Sequence, residues 1–219
     1  MKKIGIYGGA FNPVHYGHLR TAEEVYEKFS LDKIVFVPSG RTPFDKPDLA
    51  VPHHRLEMIK RAVKGNRHFA VSDIETKSRG KSYTIDTVKK LKKLDPDAEL
   101  SFILGIDAFL DLPYWKQPDG LMDLVSFIVI SRPGYAFRHL HTSPYFKGIS
   151  TGKLKQLDSR RSSGLTVDTP SGRKVFLCNV TGLTISASGI RSRIRDGESI
   201  KYLLPDSVKS YIISHTLYR

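Results

Sequence analysis

Only one of the 219 residues is a cysteine, Cys178, which excludes an internal disulfide framework and a multi-cysteine zinc site. Long apolar runs are missing too. No stretch approaches the roughly 20 apolar residues that span a bilayer. The amino terminus begins Met1-Lys2-Lys3, but Gly5, Gly8 and Gly9 interrupt the apolar residues after it, so it lacks the apolar core of a signal peptide. The expected compartment is the cytoplasm. Negative charge is scarce: 22 Asp and Glu face 35 Lys and Arg, a formal net charge of +13. Such a balance favours polyanionic partners, whether nucleic acid, a membrane surface or nucleoside phosphates. A lysine-rich soluble surface is the plain alternative. The cations are scattered, at Lys89-Lys90, Lys92-Lys93, Arg160-Arg161, Arg191, Arg193 and Arg195. They do not interleave with aromatics as a base-stacking surface requires, so nucleic acid is not expected as the main partner, nor is a membrane.

What is present suits a globular enzyme. Hydrophobic residues make up 40% and charged residues 26% of the chain, enough for a core. The length fits a single domain without internal repeats. Short β-rich runs occur at Ile4–Tyr7, Lys33–Pro38, His68–Ile74, Leu100–Leu104 and Val125–Ile130. Between them lie helical patterns: Leu19, Ala22, Val25, Tyr26 and Phe29; then Leu56, Ile59 and Val63 after Pro52, with Arg55, Lys60 and Arg61 off that face; then Ile85, Val88 and Leu91. A short helix and loop is expected over Phe109–Trp115. This alternation predicts βαβ units and a doubly wound parallel α/β sheet, in which ligands sit beyond the carboxyl ends of strands. From about 135 to 172 the pattern dissolves into basic, Ser/Gly/Thr-rich sequence. We read it as a surface insertion, with a hairpin pairing Leu165–Asp168 with Lys174–Cys178. A small helical part, starting at Ile185–Arg191 and ending around Val208, Tyr211 and Ile212, closes the chain.

The most informative stretch is Gly8-Gly-Ala-Phe-Asn-Pro-Val-His-Tyr-Gly-His-Leu19. A strand, a glycine turn and a helix start make a place where main-chain N–H groups can face an anion. Gly8 and Gly9 have no Cβ, so a phosphate can approach closely. His15 and His18, in an HxGH arrangement, fall one helical turn apart and can point toward one site. Glycines after a strand are common and histidine pairs often only cap a helix, but together they point to phosphate binding. Other informative residues cluster beyond strand ends: Ser39–Lys46, Gly105–Asp107 and Arg132.

Gly8–Leu19 resembles the signature of the HxGH nucleotidyltransferases, and more closely that of the bacterial nicotinate-nucleotide adenylyltransferases. The resemblance extends to Arg55-Leu-Glu-Met58, Ser82-Tyr-Thr-Ile-Asp-Thr87, Leu104-Gly-Ile-Asp107 with Trp115 downstream, Ser131-Arg-Pro-Gly134, Ile185-Ser-Ala-Ser-Gly-Ile-Arg191 and Tyr202-Leu-Leu-Pro-Asp206. It is weakest between Tyr135 and Gly172.

What it implies is a Rossmann-like HxGH nucleotidyltransferase that joins ATP and nicotinate mononucleotide into nicotinate adenine dinucleotide and pyrophosphate, a step of NAD biosynthesis. Magnesium is implied with ATP, although no dedicated protein metal site is visible in the sequence. By resemblance, His15, His18 and Arg191 are catalytic, with His18 at the α-phosphate. Gly8, Gly9, Ala10 and Phe11 present main chain to ATP, Gly105 and Asp107 sit at the adenosine ribose, and Ser186 and Ser188 join Arg191 at the outer phosphates. Thr84 and Trp115 are the candidates for the pyridine nucleotide, the single tryptophan stacking on the ring or simply packing. Tyr83 belongs with them or with the packing. Arg132 meets the substrate phosphate or braces the strand end.

Two departures stand out. Where the family often has a His-Lys pair, this chain reads Thr42-Pro-Phe-Asp-Lys46, leaving Lys46 as the basic candidate. Where the family usually reads Ser-Ser-Thr, this chain has Ser186-Ala187-Ser188. Other acceptors, including nicotinamide mononucleotide, a nucleotide-binding regulator without turnover, and an RNA-binding protein are the competing readings. A homo-oligomer is compatible with the sequence, which does not choose a state.

Overall fold

The computed structural model describes residues 1–41 and 48–219. Seven strands form one sheet: β1 (Lys3–Gly9), β2 (Lys33–Pro38), β3 (Phe69–Val71), β4 (Glu99–Gly105), β5 (Ser126–Ile130), β6 (Gly164–Asp168) and β7 (Lys174–Cys178). Their order is β3-β2-β1-β4-β5-β7-β6. The β2–β3, β4–β5 and β5–β7 pairs are parallel, and β6 runs antiparallel to β7. The helices are α1 (Tyr16–Lys28), α2 (Pro52–Val63), α3 (Thr84–Leu94), α4 (Ile106–Leu110), α5 (Pro118–Leu124), α6 (Thr151–Asp158), α7 (Ala187–Arg195) and α8 (Asp206–Ser214). This is the doubly wound α/β fold that the alternation of patterns implies. The strands expected at 33–38, 100–104 and 125–130 are present to within a residue or so. The third is cut short at Val71, because the chain turns at once: Lys77 N–H donates to the Asp73 carbonyl at 2.9 Å.

The chain divides into two compact units, Met1–Ile6 with Tyr83–Gly182, and Tyr7–Ser82 with Leu183–Arg219. In the first, Phe102 of β4 stands beside Phe127 of β5 in parallel register. Phe127 meets Phe109 of α4 edge-on at 5.7 Å, and Phe109 meets Phe146 at 5.4 Å. Edge-to-face pairs of this kind add to the burial of the rings themselves. Where a short helix and loop are expected over 109–115, the chain ends α4 at Leu110 and makes a 3-10 turn at Leu112–Tyr114. Pro113 lacks the N–H needed to continue an α-helix.

Residues 135–172 are more ordered than their composition suggests. Phe137, Leu140, Phe146, Leu154 and Leu157 are all buried, carried on 3-10 turns and α6. The Asp158 carboxylate accepts from the main-chain N–H groups of Phe137 at 2.6 Å and Arg138 at 3.2 Å. Asn179 Nδ2 donates to the Leu157 carbonyl at 2.8 Å. A charged, Gly/Ser-rich surface hides five core positions whose spacing matches no long helix. The hairpin is there, as β6 and β7.

The second unit holds Tyr7, Phe11, Phe36 and Phe69 in one aromatic cluster. Its α2 starts with Pro52 at N1, where the missing N–H is harmless, and ends with Lys60 and Arg61, which suit the negative end of the helix. Arg55 overturns the simple helical-face reading. It is fully buried (0% exposed), although periodicity puts it on the polar side of α2. Its guanidinium donates to the carbonyls of Ala50 at 2.8 Å, Ala10 at 2.7 Å and Ser39 at 2.6 Å, with longer contacts to the Ser39 hydroxyl and the Gly40 carbonyl. Burial lowers its pKa, opposed by the neighbouring Tyr218 and Glu75. A buried cation is tolerated because every direction offers an acceptor.

Arg55→Met is expected to destabilise the protein by about 3 kcal/mol or more, since several buried carbonyls lose their strong donor. Urea unfolding monitored by circular dichroism measures it. His54 of α2, whose ring contacts the Tyr211 hydroxyl at 2.9 Å, has its pKa lowered from 6.5 by burial and then by the charges of His215 and His53. Below pH 6.5 the unfolded chain takes up a proton that the folded His54 resists, so stability falls with acidification in that window. The stability–pH slope between about pH 7 and 5.5 is expected to flatten in His54→Gln.

Candidate active site

The HxGH stretch sits where β1 ends and α1 begins, and two of its glycines have a visible spatial reason. A Cβ on Gly9 would stand 3.2 Å from the Phe11 ring, and one on Gly17 would stand 3.0 Å from the His15 ring. Gly17 thereby lets the His15 ring fold back against the start of α1. Phe11 has φ 48°, a left-handed conformation that a bulky residue adopts only when held. It is held by Tyr7 at 5.6 Å, Phe36 at 5.7 Å and the His18 ring at 5.0 Å.

The two histidine rings lie 3.8 Å apart, tilted by 32°. His15 is buried (6% exposed) and His18 half-buried. The His15 main-chain N–H donates to His18 Nδ1 at 3.3 Å. That contact makes Nδ1 the acceptor nitrogen, so a neutral His18 carries its hydrogen on Nε2 as a donor. The helix start is less open to anions than its sequence suggests. The Tyr16 N–H donates to the Leu203 carbonyl at 3.1 Å, and the His18 N–H to the His15 carbonyl at 2.9 Å. Side chains, more than orphan amides, are what this turn offers a phosphate.

Arg191, on α7, reaches back to the same stretch. Its Nη1 donates to the Asn12 carbonyl at 3.0 Å. Its Nε is buried with no hydrogen-bond partner among the described residues, which is rare for a buried donor. Ser186 caps α7, accepting from the Gly189 N–H at 3.0 Å, and its hydroxyl lies 3.3 Å from that of Ser188. Asn12 belongs to the motif but has no role in the sequence reading. Buried (5% exposed), it is a junction: Nδ2 donates to the Asp48 carbonyl at 2.8 Å, and Oδ1 accepts from Ala50 N–H at 3.0 Å and the Tyr218 hydroxyl at 2.9 Å. Tyr218 carries no sequence signal at all.

Gly105, Asp107 and Arg132 belong to the first unit, at and just beyond the carboxyl ends of β4 and β5. Asp107 Oδ2 and Arg132 Nη1 form an ion pair at 2.7 Å. The pair gives Asp107 a partner that the sequence does not assign. The other carboxylate oxygen, Oδ1, is buried without a hydrogen-bond partner among the described residues. Gly105 leaves room here: a Cβ would push Asp107 Oδ1 aside and lie 3.3 Å from Arg132 Cδ. Thr84 opens α3 and Tyr83 caps it. Lys116, which sequence reading misses, lies 4.5 Å over the Tyr83 ring and 3.0 Å from the Asp86 carboxylate. Trp115 is half-buried and edge-on to Phe102 at 6.2 Å. Lys46 lies outside the described residues. Among the described residues, no three His, Cys, Asp or Glu side chains are grouped to hold a metal ion, and no helix is long and apolar enough to cross a membrane.

Comparison with known proteins extends these observations to the whole chain. The cytidylyltransferase-like family model matches residues 6–193. A protein of Desulfitobacterium hafniense (strain Y51), called a probable nicotinate-nucleotide adenylyltransferase, is 40% identical over 220 residues, covering 100% of this chain and 96% of its own. One of the same name from Desulfatibacillum aliphaticivorans is 38% identical, with 99% of each chain covered. Among solved structures, Plasmodium falciparum nicotinic acid mononucleotide adenylyltransferase complexed with NaAD shares the fold, with a TM-score of 0.72 at 24% identity over 100% of this chain and 98% of that one.

Gly105→Ala is expected to lower the unfolding free energy by about 1–3 kcal/mol, because the new methyl must displace the Asp107 carboxylate. Arg132→Ala is expected to cost less than about 1 kcal/mol, its side chain being 58% exposed and the ion pair screened. Chemical denaturation of both variants compares the two.

Proposed function

The chain belongs to the nicotinate-nucleotide adenylyltransferases of the cytidylyltransferase-like family, and we propose that it transfers the adenylyl group of ATP to nicotinate mononucleotide. The products are nicotinate adenine dinucleotide and pyrophosphate, so the enzyme serves NAD biosynthesis. The observation that carries the reading is the paired His15 and His18 rings 3.8 Å apart at the start of α1.

A phosphate oxygen of the mononucleotide attacks the α-phosphorus of ATP. That P–O bond forms as the bond from the α-phosphorus to the bridging oxygen breaks, and the electron pair leaves with pyrophosphate. The nucleophile arrives on the substrate, so the protein's part is alignment and charge stabilisation. His18 donates its Nε2–H to an α-phosphate oxygen, and His15, stacked beside it, holds the ring and faces the same phosphates. Arg191 and the Ser186–Ser188 start of α7 take the outer phosphates, where a helix amino terminus and a guanidinium favour the same negative charge. Main chain of Gly8–Phe11 lies along the nucleotide. Asp107 Oδ1, the carboxylate oxygen left over from the Arg132 pair, accepts from a ribose hydroxyl beside Gly105. Thr84, Tyr83 and Trp115 are assigned to the pyridine nucleotide, with Arg132 and Lys46 at its phosphate.

Magnesium accompanies ATP in this reading and neutralises phosphate charge. Histidine nitrogens and an arginine-paired carboxylate suit it poorly, so it would ride on phosphate oxygens. We assign the whole chain to one nucleotidyltransferase activity working in the cytoplasm.

Pyrophosphate release from ATP and magnesium is expected with nicotinate mononucleotide and to be much slower with the nicotinamide form. Equal or reversed rates would shift the acceptor, and no release with either would sink the activity. His18→Ala is expected to cut kcat by about 10²-fold or more. Arg191→Ala should raise KM for ATP by about ten-fold or more, the worth of a charge-assisted hydrogen bond.

A further inference from the structure

The carboxyl terminus makes a contact that its own folding does not demand. Beyond α8 the chain turns back, with Thr216 N–H donating to the Ile213 carbonyl at 3.2 Å and Leu217 N–H to the Ile212 carbonyl at 3.1 Å. Thr216 and Tyr218 have φ values of 52° and 68°, left-handed conformations unfavourable for both residue types. Something outside the tail has to hold them. Leu217 supplies apolar packing, lining a cavity of roughly 350 Å³ with Ile194, Ile200 and Ile212. Tyr218 supplies something else. Its hydroxyl donates to Asn12 Oδ1 at 2.9 Å, which lies in the HxGH stretch at the opposite end of the sequence.

Asn12 is the residue whose main-chain carbonyl receives Arg191 Nη1. Its side chain is fixed at three points, by Asp48, Ala50 and Tyr218. The first two belong to the loop before α2, and the third comes from the tail. Burial raises the Tyr218 pKa well above its ordinary value, opposed by the nearby Arg191 and Arg55 charges. The phenol therefore stays protonated, as a donor to Asn12 Oδ1 must.

We propose that Tyr218, next to last in the chain, is a positioning residue for the ATP phosphates: it fixes Asn12, and Asn12 fixes the guanidinium of Arg191. The proposal rests on Arg191 being a phosphate ligand. It explains why a half-buried tyrosine in an unfavourable backbone conformation is tied to the motif. It also explains how Arg191 keeps one buried N–H unsatisfied without swinging away. One nitrogen is anchored, and the fork is aimed.

The test measures affinity for a non-hydrolysable ATP analogue by calorimetry, beside steady-state kinetics and thermal melting. Tyr218→Phe removes one oxygen and keeps the ring. It is expected to weaken the analogue and raise KM for ATP by about five-fold, the worth of one neutral hydrogen bond, with KM for nicotinate mononucleotide unchanged. In an Arg191→Ala background the same change should do nothing further, because the group it positions is gone. Leu217→Ala, which loosens the tail without touching the hydroxyl, is expected to lower the melting temperature and leave ATP affinity intact. Undiminished affinity in Tyr218→Phe overturns the proposal, as does an additive loss in the double variant or an equal loss in Leu217→Ala. If Arg191→Ala itself binds the analogue normally, the phosphate role of Arg191 fails first, and the proposal goes with it. A loss in Arg191→Ala but none in Tyr218→Phe removes the proposal alone.

Discussion

A single buried guanidinium sets the geometry of the second unit. Arg55 gathers the carbonyls of Ala10, Ser39 and Ala50 onto one planar group, and so ties together the turn after β1, the end of β2 and the approach to α2. Burying a cation is costly, and here the cost is met by carbonyl acceptors that would be left unpaired without it. What the arginine supplies is direction. Five N–H donors in a fixed fork leave the three loops little freedom, and Phe11, Asn12 and the histidine pair come directly after the anchored Ala10. Gly40 completes this corner: its N–H donates to a Glu75 carboxylate oxygen at 3.2 Å, and a Cβ there would strike the Glu75 carbonyl.

On that frame stand the histidine pair and Arg191, the groups we propose for the phosphates. His18 accepts the His15 main-chain N–H on Nδ1, while Arg191 brings a guanidinium from α7 to the Asn12 carbonyl. An imidazole beside a guanidinium suits a reaction whose phosphates carry most of the charge. The excess of +13 across the chain raises the local concentration of anionic substrates from a distance. In the first unit the balance runs the other way. Asp107 is neutralised on one oxygen by Arg132, which leaves the second oxygen an acceptor for a neutral hydroxyl.

Much of this is legible in the order of residues alone. Strand and helix positions come from apolar periods of two and of about 3.6, and the breaks come from prolines and glycines. The pairing of His15 with His18 comes from helical spacing. Residues 135–172 are not legible, because Phe137, Leu140, Phe146, Leu154 and Leu157 are spread over short turns with no common period and are surrounded by charge. Arg55 is not legible for a related reason: its charge argues for solvent, and only the convergence of three loops on it says otherwise.

The sequence by itself determined the alternation of the first five strands with their main helices, the sheet class, the HxGH turn and the chemical class of its ligand, since each rests on residues near one another along the chain. Tertiary structure alone decided that Arg55 is buried, that Asp107 spends one oxygen on Arg132, and that Tyr218 closes on Asn12. Those are pairings of polar groups across many residues of chain. No periodicity or local steric rule links such partners; they are chosen only when packing strips away water and each buried donor must find an acceptor.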